Sequence, residues 1–321
     1  MTQWHKVSKE ADNLNDDIQI IGIDHGYRNM KTANCIFQDR FSYLANEPDD
    51  LEGVLSVNGK YFTVYGDEII STDNRVKTEN QAFYYMTLAA VAKELSHRGI
   101  SGNVKIRIAA GLPQKWYDAQ KNDFKNFLYQ KKNVAFEFEG KSYFIMIDGV
   151  SVYPQGYSAV FGAPELKKYL KNECAVVDIG GETIDIVMIE NGRIVQSASK
   201  IDTHATIWLE NHIQEKIESS LFEPVPISCI HNCMKMSKEE SGKNKYEKLI
   251  LEELKKYPHM IFTKLKEFRI NYELTPIIFV GGGSGIMKRF SEENNGLSVE
   301  YITDLCINAK GFEYIEKLKM R

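Results

Sequence analysis

Apolar and polar positions along this chain switch between two periods, and the switches mark its elements. Residues 20–32 read IIGIDHGYRNMKT, an apolar run that ends abruptly at Asp24, with a glycine two residues later. This predicts a buried strand with a carboxylate at its tip and a tight loop behind it. FSYLANEP and GVLSVNGKYFTVYG read as further strands. Over 79–97 the apolar positions Phe83, Met86, Leu88, Ala89, Val91, Ala92 and Leu95 form a broad face, which predicts a helix. The strand VKIRIAAGLP follows, and a later apolar strand ends at Pro154.

The second half repeats the first. Residues 175–189, AVVDIGGETIDIVMI, again show an apolar run, Asp-x-Gly, a short polar loop and another apolar run. Asp178 lies 154 positions after Asp24, about half the chain. A strand (GRIVQSAS), helices over about 203–220 and 244–256, and the strand PIIFVGGGSG come next. Each half therefore reads as a hairpin platform, then helix, then strand. Asp-x-Gly alone is common in hairpin turns; the matching order around it is what indicates duplication. The last strand runs into Gly281, Gly282, Gly283, Ser284 and Gly285, with a helix expected near Ile286. A strand-to-helix turn so bare of side chains lets a nucleotide lie against backbone N–H groups. The spacing is not that of a P-loop, because no Gly-Lys-Ser/Thr follows. It is not the dinucleotide fingerprint either, because no acid-tipped strand follows at the expected distance.

Composition adds bounds. A length of 321 residues suggests two domains, with 43% apolar and 26% charged residues, as in ordinary globular chains. The formal net charge of −4 argues against nucleic-acid binding by bulk charge. No apolar run approaches a membrane span. The polar start MTQWHKVSKEADNLNDD lacks the apolar centre of a signal peptide and reads as a loose tail over residues 1–17. Five scattered cysteines, Cys35, Cys174, Cys229, Cys233 and Cys306, fit a reducing cytoplasm. Cys229 and Cys233 bracket His231 in CIHNC, but no second cysteine pair completes a zinc set.

Two Asp-x-Gly hairpins facing one polyphosphate would offer N–H groups from Gly26 and from Gly180–Gly181. Asp24 and Asp178 beside phosphates demand a divalent cation between, and Mg²⁺, which keeps several waters, suits that place. Lys31 has two readings: a point charge for the β- or γ-phosphate, or a solvated strand-end lysine. Gln155, in GVSVYPQGYSAVF (149–161), also has two: a residue orienting the attacking water, or a cap for a helix beginning near Tyr157.

These residues resemble a known family. IGIDHGYRNMKTAN is similar to the first phosphate motif of the actin-like ATPases. More narrowly, it resembles the plasmid-segregation branch called ParM or StbA, especially its Gram-positive versions. VVDIGGETIDIVMI resembles the second phosphate motif, FVGGGSGIMK the adenosine motif, and VSVYPQGYSAVF and DLCINAKGFEYI the two connecting segments. FYYMTLAAVAKEL and IRIAAGLPQKWYDAQKNDFKNFL also resemble that branch. The likeness runs in family order over residues 18–318.

The resemblance implies an α/β, actin-like fold of the actin, heat-shock chaperone and sugar-kinase superfamily: two ribonuclease-H-like domains around a nucleotide cleft. Domain I is expected over 18–157 plus 308–321, and domain II over 158–307. The implied cofactors are ATP/ADP and Mg²⁺. Gly26, Tyr27, Arg28, Asn29 and Lys31 would bind phosphates from one domain. Gly180, Gly181 and Thr183 would bind them from the other, and Gly281, Gly282, Gly283 and Ser284 would pack on the adenosine. Asp24 and Asp178 would hold Mg²⁺ through water and act in catalysis with Gln155, which would position the attacking water. The best-known ParM carries a glutamate at that place, whereas actin carries glutamine. Other departures are Glu182, where a small residue is common, and IDTHATIWLENHI, which lacks the glycine often found at that helix start. Residues 221–245 match nothing in the family pattern.

The implied activity is ATP hydrolysis coupled to a self-assembled helical filament that segregates plasmid or similar replicon DNA. The DNA would be held by an adaptor protein on a centromere-like site, so direct nucleic-acid binding and membrane attachment are not expected. A head-to-tail contact that does not close generates such a filament. The rivals are a sugar- or acetate-type kinase of the same fold and a non-polymerising pilus-type ATPase. A sugar kinase usually offers an Asp base where Gln155 stands. A heat-shock chaperone carries a long C-terminal peptide-binding domain, which is not expected here.

Overall fold

The computed structural model describes residues 15–69, 76–292 and 297–321. The tail expected over 1–17 falls outside the described residues up to residue 14, and the first strand begins at Asn15. The chain divides into two units, Met1–Pro154 with Asn308–Arg321, and Gln155–Ile307.

Unit 1 is built on strands β1 (Asn15–His25), β2 (Asn29–Lys31), β3 (Ile36–Gln38), β4 (Arg40–Leu44), β5 (Val54–Val57), β6 (Lys60–Ile69), β7 (Gly102–Leu112), β8 (Asn133–Phe138) and β9 (Lys141–Pro154). Helices α1 (Ala82–His97) and α2 (Gln114–Leu128) belong to it too. Among the described residues these strands form one sheet in the order β3-β2-β1-β7-β9-β8-β5-β6-β4. Its two end strands, β3 and β4, are separated only by Asp39, so the sheet curls until its ends meet. The central strands β1, β7 and β9 run parallel, with Ile23 opposite Ala110 and Leu112 opposite Pro154. Parallel strands are covered on both faces and read as continuous apolar runs, as IIGI and AAGL do.

One face of that sheet packs on α1, which buries residues on nearly every side, from Phe83 and Met86 to Leu95. On the other face lies the C-terminal helix Ile307–Lys319, through Phe312 against Ile20, Ala109 and Tyr153. This helix lies directly on backbone. A Cβ at Gly22 would stand 2.0 Å from the Ala309 carbonyl oxygen, and one at Gly111 would stand 2.0 Å from the Phe312 ring. Only glycine permits that approach.

Buried charges tie these layers together. Glu94 on α1 accepts from the Asn34 N–H (3.1 Å), the Asn34 side chain (2.6 Å) and Arg98 Nε (2.8 Å). Arg98 also donates to the Ile20 carbonyl (2.9 Å) and to Glu313 of the C-terminal helix, and Glu313 accepts the Gly22 N–H (3.1 Å). Farther along, Glu316 accepts from Arg107 and from the Tyr153 hydroxyl. These bonds hold the Glu94 and Glu316 carboxyls below their usual range despite burial. β1 ends in His25, fully buried, edge-on to Phe124 at 5.2 Å. The Thr87 hydroxyl donates to the Phe83 carbonyl (2.6 Å) and so accepts from His25 Nε2 (2.8 Å). Burial, and then the nearby Lys77, lower the imidazole pKa to about 3.

Unit 2 contains α3 (Ala159–Gly162), β10 (Glu173–Ile179), β11 (Ile184–Glu190), β12 (Arg193–Ile194), β13 (Lys200–Asp202), α4 (Thr206–Leu221), α5 (Ile227–Cys233), α6 (Lys245–Glu267), β14 (Ile277–Val280), α7 (Ser284–Phe290) and β15 (Val299–Tyr301). The sheet order is β12-β11-β10-β14-β15, and β13 also pairs with β11. Alternation divides β10: Ala175, Val177 and Ile179 face a core made with α4, α5, α6 and α7, whereas Cys174 and Val176 face Ala159, Val160 and Leu166. No helix among the described residues is long and apolar enough to cross a membrane.

Two expectations change here. The strand expected over GRIVQSAS shrinks to Arg193–Ile194, because 195–199 turn on local bonds such as Ala198 N–H to the Val195 carbonyl (3.1 Å). The helix expected to end near 256 continues to Glu267 through Pro258. An interior proline costs about 3 kcal/mol; buried Leu254, Tyr257, Ile261 and Leu265 on the same helix offset it. That helix starts in a reciprocal cap, with Asn244 accepting from Glu247 N–H (2.9 Å) and Glu247 from Lys243 N–H (2.7 Å).

Two outcomes are expected. Arg98→Met strands Glu94 and Glu313 beside each other in the interior and should cost about 3 kcal/mol of unfolding free energy; urea denaturation that matches wild type would refute this role. The second concerns pH. The folded-state pKa of His25 lies below its unfolded value of 6.5, so its contribution is full above 6.5 and is lost as pH falls towards 3. Glu94 and Glu316 add losses only below their unfolded value of 4.5. Melting temperature should therefore fall between pH 6.5 and 4.5 in wild type, and the His25→Gln variant should show a flatter profile there.

Candidate functional site

In unit 1 the first acid-tipped hairpin has Asp24 opposite Lys31 and His25 opposite Met30. Gly26, Tyr27 and Arg28 make the turn, half-buried, and half-buried Asn29 opens β2. Lys31 Nζ lies 3.0 Å from Asp24 Oδ2, and Asp24 is only 3% exposed. The strand tip thus carries a buried carboxylate neutralised by a lysine that also lines the loop: a Cβ on Gly26 would be 3.1 Å from its ammonium. Lys77, which the sequence reading did not single out, enters from the 3-10 turn Lys77–Glu79. It donates to the His25 carbonyl and stands 5.1 Å from the Tyr27 ring centroid.

In unit 2 the second hairpin has the same register. Asp178 stands opposite Asp185 and Ile179 opposite Ile184, so here too the acid pairs with the residue seven positions on. Gly180 N–H donates to the Thr183 carbonyl (2.9 Å), closing the turn around Gly181 and Glu182, and Thr183 Oγ1 donates to Asp185 Oδ2 (3.0 Å). Where unit 1 places a lysine across from its acid, unit 2 places a second acid. Asp185 was not singled out from the sequence; its signal was the offset of seven shared with Lys31. Two carboxylates opposed across one hairpin repel each other unless a proton or a cation intervenes, and this donor set fits a hard divalent cation.

The glycine turn lies beside this acid. β14 pairs with β10 so that Val280 is opposite Asp178. Gly281 follows with φ +81°, and a Cβ there would be 2.4 Å from Asp178 Oδ1. Only glycine meets both demands. Gly283 N–H donates to the Ile179 carbonyl (2.9 Å), and Ser284, fully buried, donates its hydroxyl to the Phe279 carbonyl (3.1 Å). Gly282 is the exposed residue of the turn. The first turn of α4 is committed inward: Thr206 N–H and Oγ1 donate to the Gly180 carbonyl (3.3 and 3.1 Å), and Ile207 N–H donates to that of Gly181 (2.9 Å).

Gln155 is buried in a turn with Gly156, and the helix after it begins at Ala159 rather than near Tyr157. A Cβ on Gly156 would touch Val187 at 3.0 Å and Val176 at 3.9 Å. By alternation Asp178 shares that sheet face with Val176, so the Gln155–Gly156 turn and Asp178 lie on one face of unit 2. Each unit thus gathers its own set: Asp24, the Gly26–Arg28 turn, Asn29 and Lys31 in one, and Asp178, Gly180, Gly181, Thr183 and Gly281–Ser284 in the other. The CIHNC segment forms α5, where His231 Nε2 meets Glu210 Oε1 at 3.0 Å. Among the described residues no group of three or more His, Cys, Asp or Glu side chains is arranged to hold a metal.

Comparison with known proteins agrees with this architecture. Residues 22–157 match the actin like proteins N terminal domain, and residues 176–292 match the archaeal actin homologue MreB-like C-terminal domain. No curated protein matches the chain. Ta0583, an archaeal actin homolog, is 21% identical, with a TM-score of 0.72, over 94% of this chain and 99% of its own. Bacillus thuringiensis ParM, in its structure with ATP, is 14% identical, with a TM-score of 0.71, over 95% and 100%. The Alp12 filament structure is 13% identical, with a TM-score of 0.69, over 94% and 99%. At such identities the likeness shows the fold, which is actin-like. With an actin-like N-terminal domain and an actin-homologue C-terminal domain in one chain, this protein belongs to the actin-like proteins.

Proposed function

We propose that this chain is an ATPase of the ParM branch that polymerises with ATP into a helical filament, comes apart after hydrolysis, and so moves plasmid or similar replicon DNA in the cytoplasm. The observation that carries the reading is the repeated hairpin: in each unit an aspartate stands next to last in a strand, pairs with the residue seven positions on, and is followed after one residue by a glycine turn. Each turn can offer backbone N–H groups to the phosphate oxygens of a magnesium-bound nucleotide. ATP in the Bacillus thuringiensis ParM structure and the filament of Alp12 support the same reading.

Asp178, with Asp185 opposite, and Asp24 are the residues that would hold Mg²⁺. When bound, the cation would supply charge neutralisation for the phosphates. Lys31 shares its ammonium between Asp24 and a phosphate oxygen, while Tyr27, Arg28 and Asn29 shape the loop. Thr183 orients Asp185. Gly281, Gly282 and Gly283 present bare backbone to the adenosine, and Ser284 fixes that turn from inside. Gln155 orients the attacking water by hydrogen bonds without being a strong base, which makes hydrolysis slow and switch-like. Loss of the γ-phosphate weakens the filament. DNA is engaged through an adaptor bound at a centromere-like site, in keeping with a net charge of −4.

Sedimentation and light scattering should show polymer with ATP and Mg²⁺ and loss of polymer with ADP. ATPase activity stimulated by a sugar, with no polymer, would instead make the chain a kinase. Asp178→Ala should slow hydrolysis about 100-fold while leaving assembly with ATP intact. Complete loss of nucleotide binding in that variant would make Asp178 a binding group instead.

A further inference from the structure

Gln114 opens α2 and is only 7% exposed. Its Oε1 is buried and meets no hydrogen-bond donor among the described residues. A buried acceptor without a donor is costly, and glutamine ordinarily stays at the surface. Helical side chains lean towards the N-terminal end of their own helix, so this amide lies over the first turn of α2. Pro113 supplies no side-chain cap there, and the leading N–H groups of a helix have no carbonyl within it to meet. α2 runs for 15 residues, enough for its aligned peptide dipoles to favour an anion at this end.

The place in the fold gives the amide a use. β1 and β7 run parallel, with Ile23 opposite Ala110. Two positions further on, β1 ends at His25 and β7 at Leu112. Gly26 then starts the first hairpin turn, and Pro113 leads into Gln114. The amide and the Gly26 turn are thus neighbours at the carboxyl edge of one sheet, where parallel sheets bind their ligands. α2 stays against that edge, with Phe124 edge-on to His25 at 5.2 Å.

Chemistry selects the ligand. A primary amide offers an acceptor and a donor side by side. Its complement is an anion that carries both a hydroxyl and a bare oxygen. Orthophosphate at neutral pH is such an anion. Sulfate lacks the hydroxyl, and so does the terminal phosphate of magnesium-bound ATP. We propose that Gln114 and the first turn of α2 form a site on unit 1 for orthophosphate, the product of hydrolysis. Oε1 accepts from the P–OH group, Nε2 donates to a bare oxygen, and the N–H groups of the turn take another. Phosphate freed beside the first hairpin is then held before it leaves. The role as a product site rests on the ATPase reading; the binding of phosphate does not.

Calorimetry on the full chain, with inorganic phosphate and with sulfate at matched ionic strength, tests the site. Wild type should bind phosphate about tenfold more tightly than sulfate. Gln114→Leu keeps similar volume and removes the amide. It should weaken phosphate about tenfold, bring it level with sulfate, and unfold at no lower urea concentration than wild type. In a single turnover of ATP, phosphate should reach solution later than ATP is cleaved, and the Leu variant should shorten that delay. Equal phosphate affinity in the two proteins would overturn the proposal. So would equal affinity of wild type for phosphate and sulfate, or a less stable Leu variant, which would give the amide an internal structural partner. Gln114→Met repeats the comparison if the Leu variant does not fold, and the wild-type preference for phosphate over sulfate decides without either. Wild type that binds phosphate with that preference but cleaves no ATP would uphold the site and overturn the ATPase reading instead.

Discussion

A carboxylate held at the tip of a buried strand is the constraint on which the rest of this molecule depends. Both hairpins solve it alike, with an aspartate opposite the residue seven positions on and a glycine turn between. The two copies then diverge in one position. Lysine across from Asp24 gives a neutral pair, and aspartate across from Asp178 gives a doubled acid. A duplicated backbone thus carries two different electrostatic environments, an acid paired with a lysine in one unit and two facing acids in the other.

Precision at such a tip requires that its strand not move. β1 is gripped along its length by groups from elsewhere in unit 1: Arg98 at the Ile20 carbonyl, Glu313 at the Gly22 N–H, and Lys77 at the His25 carbonyl. The C-terminal helix can reach Gly22 because no side chain keeps it away. Buried ion pairs contribute little net stability compared with apolar packing, and losing one partner is what costs. Their concentration on the strand that carries Asp24 accords with a role in holding geometry.

In unit 2 the corresponding support comes from backbone rather than charge. Gly283 N–H meets the Ile179 carbonyl, and the first turn of α4 closes on Gly180 and Gly181. That second arrangement bears on a departure noted in the sequence. Without a glycine at this helix start, the N–H groups of Thr206 and Ile207 point into the protein and complete the loop.

The sequence by itself determined the fold class, the central strands, α1, the repeated Asp-x-Gly hairpins and the glycine turn. All of these are written in local patterns: continuous apolar runs, helical periodicity, and residues whose backbone freedom is unusual. It did not show Lys77 or Asp185, because a lysine in KTEN and an aspartate inside an apolar strand look ordinary until folding brings one to His25 and Tyr27 and sets the other across from Asp178. Nor did it show α6 running through Pro258, or GRIVQSAS ending early as a strand. In α6 local propensity argued one way and burial decided the other, whereas residues 195–199 left the strand for bonds among themselves. Partners far apart in the chain leave no periodic trace, so only the tertiary structure could assign them.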